Sequence, residues 1–398
     1  MIQNVGSIVD EVCRVANLPL ERGETLPPAA YTSPEFYALE VERVFRREWQ
    51  CVGRVDQLPR TGDYLAVELF GEPIVITRDE HGDLHALSRV CRHRFMDLLP
   101  PETAPREGNV PRLTCPYHTW VYRLDGQYAG RLAGAPLMGK VDFERRDCHL
   151  PKYGLEVWQG FVFVNLDPGA EPLAPRLAGL EKRLGAYDFS TWVTADTMGW
   201  EEIGANWKVA VENGVESYHH LGTHAESLQP VLPAQRFQAH ESDGIWFTGL
   251  MPVAREFAES EVDGYPIMPT MLPSWPGLTP EQRSGMLAVV VFPLFAIAVS
   301  PDSATWFRWV PTGPQSHSAE LRLIVPPGST EVQDFAELVE GGRSITGQIQ
   351  SEDIVALQGV QRGLASRTAH RGRFSDLERG VWQFQRYLAD RVAPGRES

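Results

Sequence analysis

The stretch CRHRFMDLLPPETAPREGNVPRLTCPYHTW, residues 91–120, decides how this chain is read. It holds two knuckles, Cys91-Arg92-His93 and Cys115-Pro116-Tyr117-His118, each with one thiol and one imidazole and each following a strand-like run. A soft and a borderline ligand on each of two loop tips suit a [2Fe–2S] cluster with two Cys on one iron and two His on the other. Neutral imidazoles in place of two thiolates remove negative charge and raise the reduction potential above that of an all-Cys cluster. Tetrahedral zinc also accepts Cys₂His₂, but finger spacing normally puts both cysteines on one knuckle and both histidines on a helix. Here each knuckle is mixed, which favours the cluster.

Outward from these knuckles, residues 50–166 are short β-type runs such as YLAVELF (64–70), PIVITRD (73–79) and GFVFVNLD (160–167). Turn pairs His81–Gly82 and Asp125–Gly126 punctuate them, giving a small all-β unit. Residues 1–45 read as mainly helical, with Ser33 a helix cap before Pro34. The Pro/Gly/Ala-rich DPGAEPLAPRLAG, residues 167–179, marks a boundary. Beyond it the pattern mixes helices (about 204–221, 331–366 with a possible break at Gly341–Gly342, and 376–391) with strands (245–252, 286–299, 305–311, 319–325). The expected organisation is α+β: a helical segment 1–45, a β domain 46–168 and a larger domain 169–398.

Composition narrows the function. A net charge of −15 over 398 residues argues against a nucleic-acid partner, which needs a Lys/Arg surplus. The N-terminus lacks the cationic start and apolar core of a signal peptide. The longest apolar run, Met286 to Val299, is broken by Pro293 and too short for a bilayer. Five thinly spread cysteines fit the reducing cytoplasm better than a disulfide framework.

A second constellation lies in NWKVAVENGVESYHHLGTH, residues 206–224. On a helix, Trp207, Val211, Val215, Tyr218 and Leu221 share an apolar stripe, while Glu212, Glu216 and His219 share an adjacent face. Gly222 would end the helix and return His224 toward His219. In the helix around 345–364, Ile345, Ile349, Ala356, Val360 and Leu364 form a stripe with Asp353 in its middle and Glu352 at its edge. A carboxylate there needs a partner, either in a 2-His-1-carboxylate iron face or in a buried ion pair.

CRHR…CPYHTWVYRLDG resembles the cluster motif of the Rieske non-haem iron oxygenase family, and YGLEVWQGFVFVNLDP, residues 153–168, resembles the end of that domain. Two departures stand out. The 21 residues between His93 and Cys115 exceed the family's usual interval, with the surplus placed in residues 100–111. Phe95 stands where a small residue, often Gly, is common. Asn206-Trp207-Lys208, Glu212-Asn213, Glu216-x-Tyr218-His219 and His224 resemble the family's catalytic signature, and SEDIVALQGVQRGL, residues 351–364, its carboxylate segment.

The resemblance implies a Rieske cluster on Cys91, His93, Cys115 and His118, and mononuclear Fe(II) on His219, His224 and Asp353, with His219 preferred over His220. It makes Glu216 the bridge from His219 to the cluster ligand His118 of a neighbouring subunit, and puts Asn213 and Glu212 near the iron. It implies a catalytic domain with an antiparallel sheet wrapped around helices (helix-grip, START-like), and a homotrimer, with or without a beta subunit. The chain has no dinucleotide fingerprint after a strand, so NAD(P)H and flavin would act through a separate reductase or ferredoxin. The implied activity is hydroxylation or oxidative N- or O-demethylation of a small aromatic or amine substrate. Ring cis-dihydroxylation is the alternative, and an electron carrier or zinc-stabilised binding protein the alternative outside oxygenases. Phe247, Met251, Phe292, Phe295, Ile297, Trp306 and Trp309 are either pocket or core.

Overall fold

The computed structural model describes residues 4–129, 137–138, 144–240, 242, 244–393 and 395. It divides into two compact units, one of residues 45–173 and one joining residues 1–44 to 174–398.

The smaller unit contains β1 (Gln50–Arg54), β2 (Asp63–Leu69), β3 (Glu72–Arg78), β4 (Leu84–Ser88), β5 (Glu107–Asn109), β6 (Leu113–Thr114), β7 (Val121–Tyr122), β8 (Lys152–Trp158) and β9 (Phe161–Asn165). Seven form one sheet in the order β1-β9-β8-β4-β3-β2-β5, and β6 pairs with β7. Period-2 alternation explains its two cores. Leu65, Val67 and Leu69 pack with Ile74 and Ile76 in one cluster. Tyr64, Ala66 and Val75 face the other way, into a cluster that includes Cys91 and Cys115. The long interval between the knuckles is absorbed partly by β5, an edge strand that pairs Asp63 with Asn109.

The larger unit begins with α1 (Val5–Ala16) and α2 (Pro34–Glu40). Ser33 caps α2 by accepting a hydrogen bond from the Phe36 N–H. After α3 (Ala178–Leu184) come β10 (Val193–Ile203), α4 (Trp207–Gly214), β11 (Gln238–His240), β12 (Trp246–Pro252), β13 (Ser260–Val262), β14 (Tyr265–Ile267), β15 (Gly285–Val291), β16 (Phe295–Val299), β17 (Ala304–Gly313) and β18 (Ser316–Val325), then α5 (Phe335–Leu364) and α6 (Arg379–Val392). An antiparallel sheet of order β10-β18-β17-β16-β15-β12-β11 carries α5 and α4 against it. A fully buried ion pair, Lys208 Nζ to Glu40 Oε1 at 2.7 Å, ties α4 to α2.

Several elements differ from expectation. The helix expected over 204–221 stops at Gly214 and is followed by a 3₁₀ turn, Tyr218–Leu221. Trp207, Val211 and Val215 are buried as expected, but Tyr218 and Leu221 are exposed, because the change of helix type takes them off the stripe. α5 runs unbroken through Gly341–Gly342. Its buried residues are Asp353, Leu357 and Gln361, whereas Ile345 and Val360 are exposed. The inward face is therefore turned by about 75° from the apolar stripe, because it looks onto a polar site. The apolar run 286–299 is a hairpin of β15 and β16. Among the described residues no helix is long and apolar enough to cross a membrane.

Candidate metal centres

The two knuckles have the same backbone form. The Cys91 N–H donates to the Met96 carbonyl at 2.9 Å and the Phe95 N–H donates back to Cys91 at 3.1 Å; Cys115, Trp120 and Thr119 repeat this at 2.7 and 3.0 Å. Phe95 (φ 60°) and Thr119 (φ 55°) both take the left-handed conformation that turns each loop. Phe95 fits because its ring points outward, 85% exposed.

Inside the loops the donors converge. The His93 and His118 rings lie 4.6 Å apart between centroids, and His93 stacks on Trp120 at 5.0 Å. Their Nδ1 atoms are both buried without a hydrogen-bond partner, an arrangement that costs free energy unless something ligates them. Cys91 and Cys115 are fully buried, and the Tyr122 hydroxyl sits 3.2 Å from Cys91 Sγ. Burial, aided by neighbouring Cys91, pushes the Cys115 thiol pKa up; a bound cation would reverse that preference. Burial, followed by His118 and Arg94, lowers the His93 pKa and keeps the ring neutral, the form that ligates metal. The donor set fits a two-thiolate, two-imidazole cluster.

In the larger unit, ligand atoms of His219, His224 and Asp353 lie within 4.8 Å of one another. Asp353 Oδ1 is 3.0 Å from His224 Nε2 and 3.7 Å from His219 Nε2. Asn213 Nδ2 donates to the same carboxylate oxygen at 3.1 Å. Each imidazole is held from behind: His219 Nδ1 by Glu216 Oε1 at 2.6 Å, and His224 Nδ1 by Glu352 Oε2 at 2.7 Å. Glu216 also takes the backbone N–H of His219 with its other oxygen, at 3.1 Å. Fixing each Nδ1 leaves Nε2 aimed at a common point, the arrangement seen where histidines bind metal.

Some residues go elsewhere. His220 is 3% exposed and bonds through Nδ1 to the Leu232 carbonyl at 3.0 Å. Burial takes its pKa down to about 4, so it is a neutral core histidine. Glu212 accepts from the Tyr31 hydroxyl at 2.6 Å rather than meeting the cluster. Glu352, which the sequence offers only as a second-choice ligand, instead orients His224. Of its other contacts, Ser227 Oγ at 2.5 Å has no sequence signal, and Gln348 Nε2 at 3.0 Å has only its place one helix turn away.

A cavity of about 140 Å³ adjoins the cluster, with Phe237, Met251, Ile297, Phe307 and Trp309 in its wall. Of the aromatic and apolar strand residues left open by the sequence, Met251, Ile297 and Trp309 line this cavity. Phe247, Phe292, Phe295 and Trp306 are buried and do not. A larger cleft of about 950 Å³, lined by parts of α1 and α6, shares no residue with the site.

Two family models match the chain: the ring hydroxylating alpha subunit (catalytic domain) over residues 185–394 and the Rieske [2Fe-2S] domain over residues 48–143. The chain belongs to the Rieske non-haem iron oxygenases, as the alpha-type subunit that carries both a Rieske cluster and a mononuclear iron. It is an oxygenase component that hydroxylates or oxidatively dealkylates a small organic molecule with O₂ and electrons delivered from a separate protein. It is 28% identical to the glycine betaine monooxygenase oxygenase subunit of Chromohalobacter salexigens, covering 92% of this chain and 85% of that one. The carnitine monooxygenase oxygenase subunit of Acinetobacter baumannii is also 28% identical, with coverage of 92% and 94%. The apo structure of the quaternary ammonium Rieske monooxygenase CntA superposes with a TM-score of 0.73 at 25% identity, covering 96% of this chain and 97% of that one.

Proposed function

We propose that Cys91, His93, Cys115 and His118 hold the Rieske cluster, that His219, His224 and Asp353 hold the mononuclear iron, and that the site oxidises a small amine or aromatic compound by hydroxylation or demethylation. The observation that carries this is the convergence of His219, His224 and Asp353 within 4.8 Å beside an apolar cavity. When bound, the cluster supplies single electrons and the mononuclear iron supplies O₂ activation. The protein's own part is positional. Glu216 and Glu352 keep both Nδ1 atoms occupied, Asn213 steadies the Asp353 carboxylate, and the apolar wall keeps water from the reacting face.

In this reading Glu216 is the bridge for electrons between His219 and the cluster ligand His118 of a neighbouring copy, in a homotrimer fed by a reductase or ferredoxin. Related proteins support this: one CntA structure is described with inter-subunit electron transfer. A cytoplasmic setting agrees with five cysteines that form no disulfide.

Metal analysis on purified protein tests the assignment. About three Fe per chain, two of them with acid-labile sulfide, is expected. Two Fe would make the chain an electron carrier, and zinc alone would remove both readings. Asp353→Ala should lose the mononuclear iron and all substrate-dependent O₂ uptake while keeping the visible spectrum of the cluster. Full iron content in that variant would move the carboxylate role to another acid.

A further inference from the structure

The cavity beside His219, His224 and Asp353 abuts a second one. Met286 and Ala298 line the first, and the same two residues line the second, a cavity of about 260 Å³ between the sheet and the N-terminal half of α5. This second chamber runs over Met198, Leu321 and Leu323 on the sheet and under Phe335 and Leu338 on the helix. Strand register explains the junction. Ala288, Ala298, Thr305 and Leu323 are successive cross-strand partners, so one rung of the sheet presents three small side chains in a row. On the adjacent rung, Ala296, Phe307, Leu321 and Met198 are partners, and bulk returns there.

Charge in the two chambers is sparse and one-sided. Arg343 is the one lysine or arginine among the described lining residues of both, and Asp196 already pairs with it at 2.6 Å. Asp302 accepts the backbone N–H groups of Met271 and Leu272 at 2.9 and 3.0 Å. An anionic group on a ligand would enter beside the carboxylates of Asp196 and Asp302, with the one arginine already engaged, and like charges brought together are costly.

We infer that the second chamber, entered past Met286 and Ala298, is a binding site for the non-reacting tail of the substrate, and that this tail is apolar or cationic and carries no carboxylate. The inference rests on the proposed oxygenase site, where the reacting group would sit. It separates this chain from substrates such as glycine betaine and carnitine, both of which carry a carboxylate.

The test is binding by calorimetry to the full chain loaded with iron and cluster, using two head groups: toluene against butylbenzene, and tetramethylammonium against butyltrimethylammonium. Each buried methylene strengthens binding by roughly fourfold, so at least one butyl probe should bind more than about tenfold tighter than its methyl partner. Ala298→Leu, which fills the junction, should reduce that gain to below about threefold. Leu338→Trp, filling the chamber from the helix side, should do the same and covers a failure of the first variant to fold. γ-Butyrobetaine, a butyltrimethylammonium with a terminal carboxylate, should bind at least about tenfold more weakly than the uncharged-tail probe. A flat chain-length series in both head groups, a gain untouched by both variants, or equal binding of γ-butyrobetaine overturns the inference. Iron measured on the same samples separates the two readings: protein without mononuclear iron fails the oxygenase assignment, whereas a flat series on iron-loaded protein fails only the chamber.

Discussion

Glu352 holds Nδ1 of His224 at 2.7 Å while Asp353, the next residue in the helix, places Oδ1 3.0 Å from Nε2 of the same ring. Consecutive helix residues point about 100° apart, and here that angle lets one turn of α5 grip both nitrogens of one imidazole. The hydrogen bond from His224, then those from Ser227 and Gln348, lowers the Glu352 pKa to about 2. Burial of His224 opposes its charged form, but Asp353 and Glu352 outweigh it and raise its pKa. The carboxylate therefore stays ionised at any working pH and keeps the Nδ1 proton in place.

Glu352→Ala should accordingly weaken the mononuclear iron site by about 10–100-fold, the usual effect of losing such a support. Competition with a chelator measures it. Glu352→Gln, whose amide oxygen still accepts from Nδ1, should recover most of the affinity. Equal affinity in Glu352→Ala would show that Ser227 or packing alone orients the ring.

Glu216 has a different burden. Its Oε1 is 2.6 Å from His219 Nδ1 and its Oε2 takes the His219 backbone N–H, so the side chain links the ligand to its own turn. Glu216→Gln preserves one acceptor and should keep both metals. It should slow cluster reoxidation in single turnover by at least about tenfold, because a neutral amide cannot carry the charge and proton relay of a carboxylate. Unchanged single-turnover rates with full metal content would take Glu216 out of the electron path.

Glu212 shows a pH signature that belongs to the fold. Burial is the main cause that lifts its pKa from 4.5 to about 7, against the hydrogen bond from Tyr31 and the charge of Lys208. The folded state thus holds this proton more tightly than the unfolded chain, so stability is greatest below about pH 4.5 as far as this group is concerned and falls as pH rises toward 7. Glu212→Gln keeps an acceptor for Tyr31 and removes the titration. Denaturant melts at pH 5 and pH 8 should show the variant gaining roughly 1–3 kcal/mol on the wild type between the two. Parallel curves would mean that Lys208 or solvent already compensates the ionised carboxylate.

Residue types and spacing made most of both donor sets legible. Mixed Cys/His knuckles are rare outside clusters, and histidines five apart around Gly222 converge in the structure much as the turn suggested. What failed was the inference from apolar periodicity. The α5 stripe through Ile345 and Val360 predicts a core face with Asp353 in its middle; Asp353 is buried as expected, but it shares the inward face with Leu357 and Gln361 while Ile345 and Val360 are exposed. β10 went unseen for the opposite reason: VTADTMGWEEI lies at the sheet edge with much of its length exposed, so hydrophobic alternation hardly marks it. Glu352 shows a third limit. Its contact with His224 joins residues 128 positions apart, and no local pattern encodes that.

Phe95 turns the remaining departure from the family pattern into a measurable quantity. The knuckle needs a residue with positive φ four places after Cys91, as Thr119 is after Cys115, and an L-residue there costs roughly 1 kcal/mol or more relative to glycine. The ring gives little in return, since it is 85% exposed. Phe95→Gly releases that strain but adds unfolded-state freedom worth about 0.5–1 kcal/mol, so the net change should fall between zero and a gain of about 1 kcal/mol. The cluster spectrum and reduction potential should not move, because the hydrogen bond that Phe95 makes to Cys91 is backbone to backbone. Thermal melts of the cluster-loaded protein, with the visible spectrum followed through the transition, check both parts. A loss of more than about 1 kcal/mol would show that the Phe95 ring is packed in the assembled protein, which makes that face of the knuckle a contact surface.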